Sequence, residues 1–237
     1  MFGMFKRFNR FLLKWNKPFE PFDPLELFQQ QTTNNKQRQT PNSKQKMSHT
    51  HQKILIITAP SGAGKTSITH FLMKTFPVLS FSVSAATRNA RDNEKDGVDY
   101  YFISMEEFKK KIQLKEFAEW EMVYEGKYYG TLKSELKRIW GLGKIPVLDI
   151  DVKGALHVQQ QYPENTLSIF VEPPSVDELK KRLLSRGTET EESLSARVNK
   201  ASYEIGFKDH FDKIIVNDNL DKACKQAVEI VGDFINS

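Results

Sequence analysis

The chain has 237 residues, with 35 Lys and Arg, 30 Asp and Glu, and 39% hydrophobic residues, the balance of a globular protein of one good-sized domain or two small ones. No apolar run approaches the roughly 18–20 residues of a membrane span, and the single cysteine, Cys224, excludes an internal disulfide and fits a reducing compartment. The net charge of +5 comes from one end: residues 1–46 carry nine Lys or Arg against three acids, so the rest is close to neutral and offers no global basic field to a nucleic acid.

Residues 1–20 are aromatic and basic, with no acid before Glu20, a pattern open to a short amphipathic helix. Residues 29–46 are polar and cannot bury enough apolar surface to offset their ordering entropy, which predicts a disordered linker. Residues 1–50 are therefore expected to be an N-terminal extension. One reading is a targeting or membrane-surface segment; the other is a dispensable tail, or an artefact of the start site, since Met47 stands just before the first strand.

From residue 53 the pattern alternates. The run KILIIT predicts a buried strand over 53–58, followed by a helix over 65–76 and a strand over 80–84. A strand at 99–103 and a helix at 105–112 come next. Two strands, 116–124 and 128–131, turn at Glu125-Gly126. A helix over 132–140 ends at Gly141 and Gly143, and IPVLDID gives a second apolar strand over 145–151. The remainder reads as a helix to Gln161, a strand over 166–172 broken by Pro173 and Pro174, and a Ser175-capped helix to 185. An amphipathic helix over 189–206, a strand over 212–218 and a helix over 220–235, with Cys224 as a packing residue, complete the chain. Strands spaced by helices predict an α/β fold, a mostly parallel sheet covered on both faces, with the strand pair near 99–131 as an inserted lobe.

The chemistry begins after the first strand. Ala59, Pro60, Ser61, Gly62, Ala63, Gly64, Lys65 and Thr66 match the phosphate-binding loop G-x-x-x-x-G-K-[ST] in all but the first position. Such a loop curls backbone N–H groups around phosphate oxygens at a helix N-terminus. Its lysine reaches the β/γ-phosphates and its hydroxyl helps hold Mg²⁺. Ala59 precedes Pro60 and is pushed to extended backbone, which alanine adopts without strain; Gly62 and Gly64, inside the loop, remain. A nucleotide-phosphate site is expected here.

VLDID ends a buried strand in Asp149 and Asp151, where open α/β sheets bind ligands. Asp149 is a candidate, with Thr66, for Mg²⁺ or its waters, while Asp151 is equally well placed to cap the following helix. Arginines crowd two segments, Arg88 and Arg91 in the first and Arg182, Arg186 and Arg197 in the second. Arg186 sits beside Gly187 in a break that suits a closing phosphate clamp. His157 and His210 show no metal-ligand spacing.

The runs SVSAATRNARDNEKDGVDYYF, EFAEW, YYGT, VLDID, LKKRLLSRGTETEESLSARV and VND resemble guanylate kinase, in order and in register, from about residue 53 to the C-terminus. The resemblance implies a P-loop NTPase core with a parallel sheet, an inserted GMP-binding lobe with mixed or antiparallel strands, and a helical lid. Mapped here, a domain over 51–237 divides into a core of 51–83, 132–185 and 208–237, a lobe over about 84–131 and a lid over about 186–207. The implied reaction is Mg²⁺-dependent transfer of the γ-phosphoryl of ATP to GMP or dGMP, in purine nucleotide metabolism.

On this resemblance Arg88, Arg91, Tyr100 and Tyr129 hold the GMP phosphate, and Ser84, Glu119, Thr131 and Asp151 read guanine. Residues 59–66 hold ATP, Asn217 in VND resembles an adenine contact, and Lys65, Arg88, Arg182, Arg186 and Arg197 are the catalytic cations. The implied partners are ATP and GMP, with no nucleic acid and no membrane span. A cytoplasmic location is expected, with organellar targeting by the tail as the alternative. The sequence departs from the family's T-T-R-x-P-R-x-G-E, reading Ala86-Thr87-Arg88-Asn89-Ala90-Arg91-Asp92-Asn93-Glu94. Two rivals are weighed. A scaffold-type guanylate-kinase-like domain typically lacks an intact P-loop, and Glu119 and Ser84 argue against a kinase for another nucleoside monophosphate.

Overall fold

Ile54–Thr58 (β1) is buried along its whole length, because both faces of the sheet it centres are covered. Its side chains alternate between two cores: Ile54 and Ile56 enter one cluster, Leu55 and Ile57 the other. The computed structural model describes residues 52–237 apart from 125 and 186–190. The expectations for residues 1–50 and for Arg186 lie outside the described residues.

After β1 come α1 (Lys65–Thr75), β2 (Leu79–Phe81), β3 (Ala85–Ala86), β4 (Tyr101–Phe102), α2 (Met105–Gln113), β5 (Phe117–Tyr124) and β6 (Lys127–Leu132). Then follow α3 (Lys133–Gly141), β7 (Ile145–Asp149), α4 (Val152–Gln161), β8 (Thr166–Glu172), α5 (Val176–Leu184) and α6 (Glu191–Ile205). A 3₁₀ turn at Lys208–His210, β9 (Lys213–Val216) and α7 (Leu220–Asn236) close the chain. One sheet runs β2-β7-β1-β8-β9, and every pairing in it is parallel. The other runs β4-β3-β6-β5 and is mixed, with β6 antiparallel to both its neighbours.

Buried residues of α1 and α7, including Leu72, Ala227, Val231 and Cys224, cover one face of the parallel sheet; Leu136 of α3 and Ala155 and Val158 of α4 cover the other. The mixed sheet has its own small core around Phe108, stacked on Phe117 at 4.3 Å between ring centroids. Leu179 and Leu183 of α5 pack on Leu194 and Ala201 of α6. Ser175 caps α5 as expected, its side chain accepting from the Glu178 N–H.

The expected strand over 80–84 is shorter and divided. The Ser82 N–H still donates to the Val147 carbonyl, but the Val83 N–H turns to Glu135 Oε1 at 3.1 Å, and the chain leaves for the second sheet. Glu135, 2% exposed, also accepts from the Tyr101 hydroxyl and from the Arg138 guanidinium through two bonds of 2.8 Å. Burial opposes its charge, yet these donors hold its carboxyl below the usual range. One carboxylate thus joins α3, the exit from β2 and the strand β4. Strand β3, two alanines long, carries no β-pattern in the sequence and exists by pairing alone.

Candidate active site

The loop between β1 and α1 has the backbone its sequence requires. Gly62 and Gly64 take φ of 95° and 98°, whereas Lys115 is the only described non-glycine residue at positive φ, so Ala59 needs no glycine freedom. A side chain at Gly64 would also strike the Asn217 amide, and one at Gly62 would press on Leu183 at 3.1 Å. The Ala63 N–H closes a turn onto the Pro60 carbonyl. Lys65 opens α1 and forms an ion pair with Asp149, at the end of the neighbouring strand β7. Thr66 is exposed beside it.

Asp151 is the N-cap of α4. Its side chain accepts from the Gly154 N–H at 2.9 Å, capping α4, and it also lines a cavity of about 280 Å³. Ser84, Tyr100, Glu119, Tyr129 and Asp149 line the same cavity, so residues spaced over 67 positions converge on it from both sheets. Thr131 stands behind them, its hydroxyl donating to Glu119 Oε1 at 2.6 Å. A side chain at Gly154 would meet Glu119 Oε2 at 2.7 Å, so that glycine makes room for the carboxylate.

Glu119 is 6% exposed. Burial raises its carboxyl to about 7, the Thr131 hydroxyl works against the rise, and the Asp151 charge adds to it. The native state therefore holds a proton that an unfolded glutamate, near 4.5, has released. The stability this group contributes is complete below the unfolded value and is lost as pH rises through about 7. Glu119→Gln, which keeps an acceptor for Thr131, is expected to flatten the decline in unfolding free energy between about pH 5 and 7. Urea titrations across that range check this, and an unchanged slope would refute it.

Arg88 is held on every side. Its guanidinium forks onto Glu94 at 2.5 and 2.7 Å, its Nε donates to the Tyr129 hydroxyl at 3.1 Å, and it lies 4.9 Å over the Tyr100 ring. The Arg88 bond lowers the Glu94 carboxyl to about 2, and Glu94 also accepts the Arg91 N–H. The Arg91 side chain is exposed and does not line the cavity. Sequence reasoning gave Glu94 no role, although it stands in the same motif six residues after Arg88. Asp99, inside the run SVSAATRNARDNEKDGVDYYF, was given no role, and Glu121 and Lys200, which also line the cavity, had no motif to mark them.

The remaining residues gather at the phosphate loop. The Arg197 Nη1 donates to Ser61 Oγ at 3.0 Å, bringing α6 onto the loop. Asn217 is 4% exposed and donates its side-chain amide to the Ala63 carbonyl at 2.7 Å. Its backbone carbonyl accepts from Arg182 Nη1 at 3.0 Å. Asn217 and Arg182 thus brace the loop from outside the cavity.

A P-loop at the carboxyl edge of a parallel sheet, beside a polar cavity flanked by an arginine, defines a P-loop nucleotide-binding phosphotransferase. Residues 51–233 match the family model described as guanylate kinase. A guanylate kinase of Bacteroides fragilis is 43% identical over 183 residues, covering 77% of this chain and 90% of the relative. One of Salinibacter ruber is 46% identical over 184 residues, covering 78% and 97%. The crystal structure of guanylate kinase from Anaplasma phagocytophilum superposes with a TM-score of 0.61 at 30% identity, covering 76% of this chain and 85% of that one. The chain belongs to the guanylate kinase family. No helix among the described residues is long and apolar enough to cross a membrane.

Proposed function

We infer that the chain transfers the γ-phosphoryl of ATP to GMP, giving ADP and GDP. The observation that carries this reading is the pairing of an intact phosphate loop with a cavity whose buried Glu119 is aligned by Thr131. Guanine offers N1–H and N2–H₂ as donors and O6 as acceptor; a carboxylate answers the donors and a hydroxyl, such as that of Ser84, the acceptor. Adenine lacks N1–H and carries an amino group in place of O6, so it leaves these groups unpaired. The GMP phosphate falls to Arg88, Arg91, Tyr100 and Tyr129, which offer a charged fork and neutral hydroxyl donors. Residues 84–131 are the GMP lobe in this reading, 186–207 the lid, and the rest of 51–237 the core.

The nucleophile is a GMP phosphate oxygen, ionised at neutral pH, so no general base is needed. The protein positions the two nucleotides in line and neutralises the charge spreading over the transferred group. Lys65, Arg88, Arg182, Arg186 and Arg197 serve as the cations, and Asn217 acts through the loop it braces. Mg²⁺ fits the donors present: the Thr66 hydroxyl and the Asp149 carboxylate are hard oxygen ligands of the kind that share the ion with phosphates and water. When bound there, it would offset the charge of the phosphates. The test is ADP release with GMP, dGMP, AMP and UMP as acceptors. GMP turnover at least about 10³-fold above AMP is expected; no turnover of GMP with Mg-ATP would overturn the reading.

A further inference from the structure

Among the described residues, five carboxylates line the cavity, Asp99, Glu119, Glu121, Asp149 and Asp151, and one cationic residue, Lys200. A phosphate dianion brought among those acids needs positive charge beside it. Arg88, set against Tyr100 and Tyr129, supplies part of that charge but is shared with Glu94. The Lys65 ammonium is already paired with Asp149.

Lys200 reaches the cavity from α6, the helix that also carries Arg197 and Glu204. The three stand at i, i+3 and i+7, on one helical face. Arg197 meets the phosphate loop through Ser61, Lys200 lines the cavity, and Glu204 is buried with an oxygen 3.6 Å from the Lys200 ammonium. Burial raises the Glu204 carboxyl, and the charges of Lys200, Asp151 and Lys65 all act on it, which sets this face of the helix at the junction of loop and cavity.

We propose that Lys200 is a further catalytic residue, the cation that α6 presents to the GMP monophosphate, with Glu204 as the positioning residue that holds its ammonium. The proposal rests on the GMP reading above and deepens it: one helix face addresses the ATP loop through Arg197 and the acceptor phosphate through Lys200. A lysine suits the place, because a compact ammonium on a flexible stem can move from Glu204 to a phosphate oxygen without a fixed fork.

The test uses the full chain and titrates GMP, guanosine and AMP separately by calorimetry. Lys200→Met is expected to weaken GMP about 10–100-fold, the range of a charge-assisted hydrogen bond, and to leave guanosine unchanged. Lys200→Arg keeps the charge and is expected to retain most of the GMP affinity. Unchanged GMP affinity in Lys200→Met, a parallel loss for guanosine, or equal losses in the Met and Arg variants would overturn the proposal. Wild-type chain binding AMP as tightly as GMP would overturn the reading beneath it, and the proposal with it.

Discussion

Lys65→Met is expected to lower kcat by on the order of 10³-fold while leaving the dissociation constant of GMP within about twofold. The lysine begins α1 at the mouth of the phosphate loop, and its partner Asp149 fixes its ammonium at the carboxyl edge of the sheet. A cation positioned in this way acts on charge that develops during transfer, so its loss falls on the chemical step. The glycine geometry of the loop is untouched by the change, and Met keeps the length of the stem. Single-turnover rates with saturating ATP and GMP, beside a GMP titration without ATP, separate the two effects. A kcat within tenfold of wild type, or a matching loss of GMP affinity, would show that Lys65 does not do this work.

Glu119→Gln is expected to reduce kcat/KM for GMP by on the order of 10³–10⁴-fold and to leave the low rate with AMP nearly unchanged, so that discrimination collapses. The variant keeps the volume that Gly154 leaves open and an oxygen for the Thr131 hydroxyl. It replaces an acceptor facing the guanine donors with an amide N–H₂, and a buried mismatch of that kind is costly. Competition between GMP and AMP in one assay checks it directly. If GMP remained preferred to the same degree, guanine would have to be read elsewhere.

Much of this was legible in the sequence because the relevant signals are local. Strand β1 announces itself as an unbroken apolar run, the Ser175 cap as a hydroxyl before an acidic first turn, and the phosphate loop as a fixed spacing. What was not legible depends on groups far apart in the chain. Strand β3 has two alanines and forms only because β4 and β6 lie on either side of it. Glu135 reads as one more acid on an amphipathic helix, paired locally with Arg138, and only the fold delivers Val83 and Tyr101 to it. Asn217 stands out in the sequence only through its resemblance to an adenine contact, yet the close approach of the chain after β9 to the loop makes its amide a brace for Ala63. The raised carboxyl of Glu119 follows from a burial that alternation within one strand cannot reveal, since Phe117, Ala118 and Glu119 are all buried across an irregularity in the register.

The fork between Arg88 and Glu94 has a consequence for how the lobe meets its substrate. On the role proposed for Arg88, Glu94 is an internal stand-in for the phosphate: it neutralises the guanidinium and holds it in place before GMP arrives. Binding is then an exchange of anions around a side chain that is already ordered, with little rotamer freedom left to lose. An exchange also sets a threshold. A singly charged anion gains little by displacing a carboxylate that already accepts two bonds from the guanidinium, whereas a phosphate dianion can outcompete it. The same carboxylate accepts the Arg91 N–H, so drawing Arg88 away from Glu94 would loosen the turn that carries Arg91. The loop would thus report the charge of what enters it.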